Sequence, residues 1–590
     1  MTTFATWLVA FALHLAHSAA VSRWSDISSV PHSAWDALQV RVQGRLHAEY
    51  PMGAFCYSRY EGSLNRHLEL DECAKLLANQ QNTSFMASYA QGYAYSTWTM
   101  CIAEGERCNT QGKSLGRPGS ALPGNCQQGS VPSYYIDART DADIRAGLAF
   151  AQQHNIPLVI KASGHDYKGR STGKGSLMIW LYNYQSEMKF EKGFVPVGAS
   201  EPTGDVISFG ASHDMESVAR FADQYGGAVI SGTAKSVYPA GGFLQGGGHS
   251  PLSVVYGLAV DNAFQIEGIL ANGTSFKASR QQHADLVFAL RGGGGGTFAV
   301  VTRVYTRFHP KPAEGYQFAF LATEGLSRGA SSELLKVLIA NAEKWASDGW
   351  GGYALISTLA NRSSAVALIN PKLSLGEAQA SLSPLTELLN TSLGKASTCS
   401  ITTESSYFSI FSQLSDTIEG DGISEASRLV PVQNFRGQQN QADLFDALFP
   451  IGRASGDLNT HPLFICLTPP YSFDSDDQTS SVTPAWRKAL WHVIAVNKWD
   501  PKESTSLIVN EFRKTHDAIQ PLVKLTPGSG AYQNEADTYE TDPVGTFWGR
   551  RNYEKLLAIK ERYDPNNVFA VWQGVGWDKE DSRWACYPEL

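Results

Sequence analysis

The stretch Pro157-Leu-Val-Ile-Lys161-Ala-Ser-Gly164-His165-Asp166-Tyr-Lys168-Gly169-Arg170-Ser-Thr-Gly173-Lys174-Gly175-Ser-Leu-Met-Ile-Trp180-Leu181 constrains this chain more than any other. It opens and closes on apolar runs of strand length, at 158–160 and 177–181. The four glycines between them let backbone N–H groups turn towards a ligand with no Cβ in the way. Successive N–H groups of that kind make an anion-binding concavity. Lys161, Lys168, Arg170 and Lys174 oppose only Asp166, so the loop is locally basic in a chain whose net charge is −8. A diphosphate is the expected guest.

The flanks predict a β-α-β unit. Residues 134–136 read as a strand, and Thr140 as a helix N-cap with Asp143 three residues on. Ile144, Leu148 and Ala151 follow at helical spacing. The strand at 158–160 then delivers the loop at its C-terminal end, where α/β folds bind ligands. A similar unit is expected next: strand 206–209, helix 215–225 with Val218, Phe221 and Ala222 inward, and strand 228–230. Gly241-Gly242-Phe-Leu-Gln-Gly-Gly-Gly248-His249-Ser250 and Tyr256-Gly-Leu-Ala-Val260-Asp-Asn262 follow. Asn272-Gly273 between two apolar runs signals a hairpin. The run Gly292–Gly296 is not a dinucleotide fingerprint, because Thr297 holds the third glycine position and a strand follows.

Lys161-Ala162-Ser163-Gly164-His165-Asp166-Tyr167 with its Gly/Ser loop resembles the flavin-anchoring loop of the vanillyl-alcohol-oxidase superfamily. It is similar above all to the fungal, secreted, berberine-bridge-enzyme-like branch, with its FAD-binding domain of the PCMH type. The Phe288-Ala-Leu-Arg291-Gly292 segment and Tyr256 to Asn262 resemble recurring signatures of the same family, and 563–573 resembles its closing motif. The resemblance covers about 120–310 closely and resumes near the C-terminus. It implies an α+β fold: a two-part FAD-binding domain at 126–310 and 526–590, and a substrate domain at 311–525 whose antiparallel sheet is covered by helices. It implies FAD held by Lys161, Ala162, Ser163, Gly164, His165, Asp166, Gly241, Gly242, Gly248 and Val260. In the family the histidine of this loop bonds covalently to the flavin 8α-methyl, and here that residue is His165. A neutral imidazole is a competent nucleophile for such a bond. The doubly linked relatives carry a cysteine before the glycine-rich turn. Residues 233–239 have none, so a single link and narrower substrate access are expected.

Flavin oxidation of an alcohol needs a base for the hydroxyl proton while hydride leaves to the flavin. Relatives place a tyrosine at the last position of a Tyr-x-Asn-Tyr pattern. Here the segment is Tyr532-Gln533-Asn534-Glu535. Glu535 is the expected base, with a pKa raised beside an apolar flavin face, and Tyr532 is the runner-up. The bland alternative is that Glu535 caps or salt-bridges a neighbour. His213, His249 and His283 lack metal-ligand spacing, read as structural, and no metal is expected.

The apolar fraction of 43% and charged fraction of 18% are those of a folded soluble protein. The acidic balance argues against a nucleic-acid partner. Residues 1–20 read as a secretory signal, with an apolar core at 7–15 and small residues Ser18, Ala19 and Ala20 at the cleavage site. No later apolar run is long enough to span a membrane. In an oxidising compartment the eight cysteines default to disulfides. Five crowd into 21–125 and its border, which reads as a Cys-containing extension. Cys586 is expected to tie that extension to the body, and Cys399 with Cys466 is the economical pair in the middle. Asn82, Asn272, Asn361 and Asn390 head glycosylation sequons. The expectation is a secreted FAD-dependent oxidoreductase acting on a small-molecule alcohol or related substrate, with O2 as reoxidant. The alternative is a secreted glycoprotein that keeps the scaffold without turnover. Substrate, choice of electron acceptor and oligomeric state stay open.

Overall fold

The computed structural model describes residues 24–111, 113, 120–393, 397–414, 422–451, 463–473 and 479–590. The expected signal segment, 1–20, lies outside them. The architecture is α+β, with two sheets on the flavin side and a large antiparallel sheet opposite.

The first sheet has the order Leu46–Ala48, Tyr134–Asp137, Leu177–Trp180, Leu158–Lys161. Its last three strands are parallel, and the helix Asp141–His154 makes the crossover. That helix starts where the sequence says it should. Asp143 accepts from Thr140 N at 3.0 Å, closing a capping box. The N-terminal boundary is less clean than expected, because Leu46–Ala48 pairs antiparallel with Tyr134–Asp137. Ile27, Trp35 and Leu38 also share a core with Ile144 and Leu148. Part of the 21–125 segment therefore belongs to the flavin unit.

The second sheet is antiparallel throughout: Ser275–Ser279, Ala263–Ile269, Val300–Arg307, Val206–Gly210, Lys189–Glu191. The Asn272-Gly273 hairpin joins its first two strands, with Gly273 at φ +81° as such a turn needs. The expected second β-α-β repeat is not there. After the helix Met215–Gln224, residues Gly227–Ala228 pair antiparallel with His309–Pro310, not with Val206–Gly210. Val229 and Ile230 are buried as apolar residues should be, but in coil that leads to the ligand cleft.

The third sheet has seven strands, all antiparallel: Thr398–Glu404, Tyr316–Leu326, Arg362–Asn370, Gly351–Ile356, Leu463–Leu467, Ala489–Trp499, Gly422–Pro431. Strand alternation sends Ile465, Leu467, Trp491, Val493 and Ala495 to one face. There they pack with Leu334, Leu338 and Trp345 of helix Arg328–Asp348 and with Ile519 and Leu522 of helix Thr505–Leu525. The intervening residues, Tyr353, Cys466 and His492 among them, leave by the opposite face.

The N-terminal extension and the C-terminal segment are both tied in. Disulfides join Cys56 to Cys73, Cys108 to Cys126, and Cys101 to Cys586. Cys399 and Cys466 are free. The middle pairing expected from their number fails on sheet order: three strands separate theirs, and strands sit about 4.8 Å apart. The C-terminal segment re-enters the flavin unit, with Phe547, Trp548 and Leu556 in one of its cores and Val568 and Phe569 in another. No described helix is long and apolar enough to cross a membrane.

Candidate active site

The organising loop lines a cleft with about 1020 Å³ of free space, open to solvent. Ala162, Ser163, Gly164, His165 and Asp166 form one wall, Gly241, Gly242 and Gln245 another, and Gly295 and Gly296 a third. Tyr532, Asn534 and Glu535 close it from the C-terminal segment. Of the expected cofactor residues, Lys161, Gly248 and Val260 do not line the cleft. Lys161 turns back and donates to Tyr89 O at 2.8 Å. Gly248 N donates to the Tyr532 hydroxyl at 3.2 Å. Val260 packs with Leu258, Trp486 and Tyr532. All three shape the wall from behind.

The basic character read from the loop is largely neutralised. Arg170 pairs with Asp166 at 2.6 Å, Lys174 pairs with Glu104 and Glu106, and Lys161 lies near the buried Glu49. Burial, partly offset by Glu49, pushes the Lys161 pKa down to about 7. Backbone groups are the better anion site. Among the described residues, the N–H groups of Ser163, Gly164 and His165 donate to no backbone carbonyl. Gly164 takes φ +85°, and a Cβ there would lie 2.8 Å from Lys161 Cε.

His165 Nε2 lies 2.7 Å from Ser236 Oγ, which in turn donates to Thr83 Oγ1 at 2.6 Å. Ser236 therefore accepts from Nε2–H, and that tautomer leaves Nδ1 bare. Burial, with the Lys161 charge adding to it, pushes the imidazole pKa down to about 4, so the ring is neutral. Thr83 belongs to the N-terminal extension, whose Tyr95 also meets the His165 ring edge-on at 6.1 Å. Sequence reading gave that extension no share in the site.

The cleft fits an isoalloxazine and its diphosphate on three observations. A Cβ at Gly242 would meet no atom within 4 Å and would stand in the open space. Gln245 Oε1, buried in the wall, has no hydrogen-bond partner among the described residues. The loop N–H groups described above face no backbone acceptor.

Glu535 lies at the cleft with its side chain 20% exposed, and its Oε2 is 3.1 Å from His249 Nε2 and 2.8 Å from His492 Nε2. The expected upward pKa shift is overturned. Burial does oppose ionisation, but the charge and hydrogen bonds of His249 and the hydrogen bond of His492 outweigh it and hold the carboxyl well below its usual range. His249, read as structural, is thus a direct partner of the candidate base. Tyr532 is a poorer one. Its hydroxyl accepts from Asn534 Nδ2 at 2.7 Å and from Gly248 N, and donates to Phe243 O at 3.3 Å. Burial, then the Glu535 charge, pushes its pKa up.

His492 escaped the sequence reading. Its only signal is one polar residue inside the apolar run 489–496, which strand alternation sends to the face opposite Trp491 and Val493. His213 and His283 take no part. His213 meets Ser186 O at 3.3 Å, and His283 precedes a helix in the left-handed region at φ 55°.

A cleft walled by the glycine-rich turns of an α+β unit and closed by the C-terminal segment, with a large antiparallel sheet behind its carboxylate, defines a flavin-binding oxidoreductase fold. The family models agree: residues 132–279 match "FAD binding domain" and 531–576 match "Berberine and berberine like". The chain is 31% identical over 549 residues to the FAD-linked oxidoreductase cheF of Chaetomium globosum, covering 92% of this chain and 86% of that one. It is 30% identical to the bifunctional decalin synthase calF of Penicillium decumbens, covering 92% and 91%. The crystal structure of the VAO-type flavoprotein MtVAO615 from Myceliophthora thermophila C1 is similar at a TM-score of 0.81 and 26% identity, covering 94% of this chain and 98% of that one. This chain belongs to the vanillyl-alcohol-oxidase and berberine-bridge-like family of FAD-linked oxidoreductases.

Proposed function

We propose that this chain is a secreted oxidase that takes a hydride from the alcohol carbon, or a related position, of a small organic molecule, with FAD held covalently through His165 and reoxidised by O2. The observation that carries the reading is Glu535, a carboxylate on the same cleft as His165, Gly241 and Gly242 and within hydrogen-bond reach of two imidazoles. FAD, when bound, supplies the hydride acceptor. Glu535 takes the hydroxyl proton, and His249 and His492 orient its carboxylate from behind. The loop N–H groups hold the diphosphate. Ser236 fixes the tautomer in which His165 Nδ1 is the nucleophile for the covalent bond. The large sheet backs Glu535 from its reverse face, through His492.

The calF name, a decalin synthase, points to decalin-bearing molecules as the substrate class to screen first. Secretion is supported by the apolar segment 7–15, by the three disulfides, and by the exposure of Asn82, Asn272, Asn361 and Asn390.

A substrate screen under air with peroxide detection is the first experiment. With a substrate in hand, Glu535→Gln should slow anaerobic flavin bleaching by about 10²–10⁴-fold while flavin content and fold stay intact. A reduction rate within a few-fold of the parent moves the proton to another group. A flavin-free, colourless protein favours the turnover-free scaffold instead.

A further inference from the structure

Three side chains converge behind Glu535, and none of them lines the cleft. His249 follows the glycine turn, Cys466 sits on Leu463–Leu467, and His492 on Ala489–Trp499. Each brings one ligand-capable atom to within 4.8 Å of the other two. Sheet register explains much of this. Cys466 lies directly opposite His492 in the antiparallel pair, so both side chains leave the same face. His249 meets them from the flavin unit, its ring 5.3 Å from that of His492. Glu535 then touches both imidazoles. The four residues span 249 to 535, so no short motif could announce them.

Two features separate this cluster from a satisfied polar core. His249 Nδ1 and His492 Nδ1 have no hydrogen-bond partner among the described residues, and the His492 side chain is 0% exposed. Cys466 is a fully buried free thiol, with its nearest candidate partner, Cys399, three intervening strands away.

We propose that His249, Cys466 and His492 bind a thiophilic divalent cation, with Zn²⁺ as the probe ion and a fourth position left open. Two imidazoles and a thiolate are a donor set suited to zinc with one position open. The thiolate offsets one charge of the ion and the Glu535 carboxylate, hydrogen-bonded to both imidazoles, the other, which matters in a buried site. Mg²⁺ and Ca²⁺ prefer oxygen ligands and should not bind. The binding site stands on its own.

The test uses the flavin-loaded full chain, stripped with chelator, re-exposed to Zn²⁺ and dialysed. Metal analysis and calorimetry should find stoichiometric zinc. Cys466→Ser and His492→Gln should each bind more than about tenfold more weakly, with flavin content and far-ultraviolet circular dichroism as folding controls. Cd²⁺ should raise a thiolate-to-metal absorption band in the parent, a reading that needs no variant. A parent that retains no zinc and shows no cadmium band sinks the site. So does equal retention by both folded variants.

Discussion

Ser236 stands between His165 and Thr83 as a hydroxyl relay, and its contribution is to the tautomer of one ring. Ser236→Ala removes the acceptor of Nε2–H, and a lost hydrogen bond of this kind is worth about 1 kcal/mol. The bare-Nδ1 tautomer should then lose its preference several-fold. We expect slower covalent attachment, read as the fraction of flavin that survives acid precipitation in freshly loaded protein. His165→Ala should leave all flavin extractable; acid-stable flavin in that variant would assign the bond to another residue. Gly246 makes a second residue-scale case. A Cβ there would meet Asn534 Oδ1 at 2.4 Å. Asn534 cannot swing aside cheaply, because it donates to Gly242 O and the Tyr532 hydroxyl and accepts from Arg170. Gly246→Ala should cost about 1–3 kcal/mol and loosen the flavin wall. An unchanged melting temperature would mean that the wall gives more readily than these contacts indicate.

Elements divide into those that local chemistry dictates and those that pairing decides. The helix Asp141–His154 was legible because its cap and its apolar spacing are both local. The strand after Met215–Gln224 was misread as part of a parallel unit, since a short apolar run does not say which strand it joins. Helix Thr505–Leu525 shows what docking adds. Its His516 Nδ1 lies 2.5 Å from Asp537 Oδ2 of the C-terminal return, and that hydrogen bond, reduced by burial and helped by the carboxylate charge, raises the imidazole pKa. The folded pKa exceeds the unfolded one, so this stabilisation is complete below the unfolded value, about 6.5. It is lost as pH rises through the folded value. Parent and His516→Gln should therefore differ most in melting temperature on the acid side and converge towards alkaline pH. A difference independent of pH would mean that the contact works through packing.

At the scale of the whole molecule, the Cys101–Cys586 bridge spans 485 residues and holds the N-terminal extension and the C-terminal segment together beside the flavin loop. Tyr587, next to it, donates to Lys168 O and stacks on Trp572 at 4.0 Å. Removing the bridge by paired Ser substitutions should cost about 2–5 kcal/mol, seen as a lower denaturant midpoint with flavin bound. An unchanged midpoint would show that the aromatic packing suffices. This long-range tie was anticipated from cysteine placement, while Cys399 with Cys466 was not a pair, because counting residues cannot see sheet order. The same divide runs through the site. By itself the sequence determined the glycine-rich loop, the position of His165, the hairpin, the capped helix and the glutamate that ends Tyr532-Gln-Asn-Glu535. Each rests on backbone freedom, hydrogen bonding or apolar spacing within a few residues. Only the tertiary structure decided that Lys174 pairs with Glu104 and Glu106, that the N-terminal segment supports His165, and that His249 and His492 flank Glu535 with Cys466 close by. Those facts depend on register, strand order and burial, which are properties of contacts between distant segments and leave no mark on any one of them.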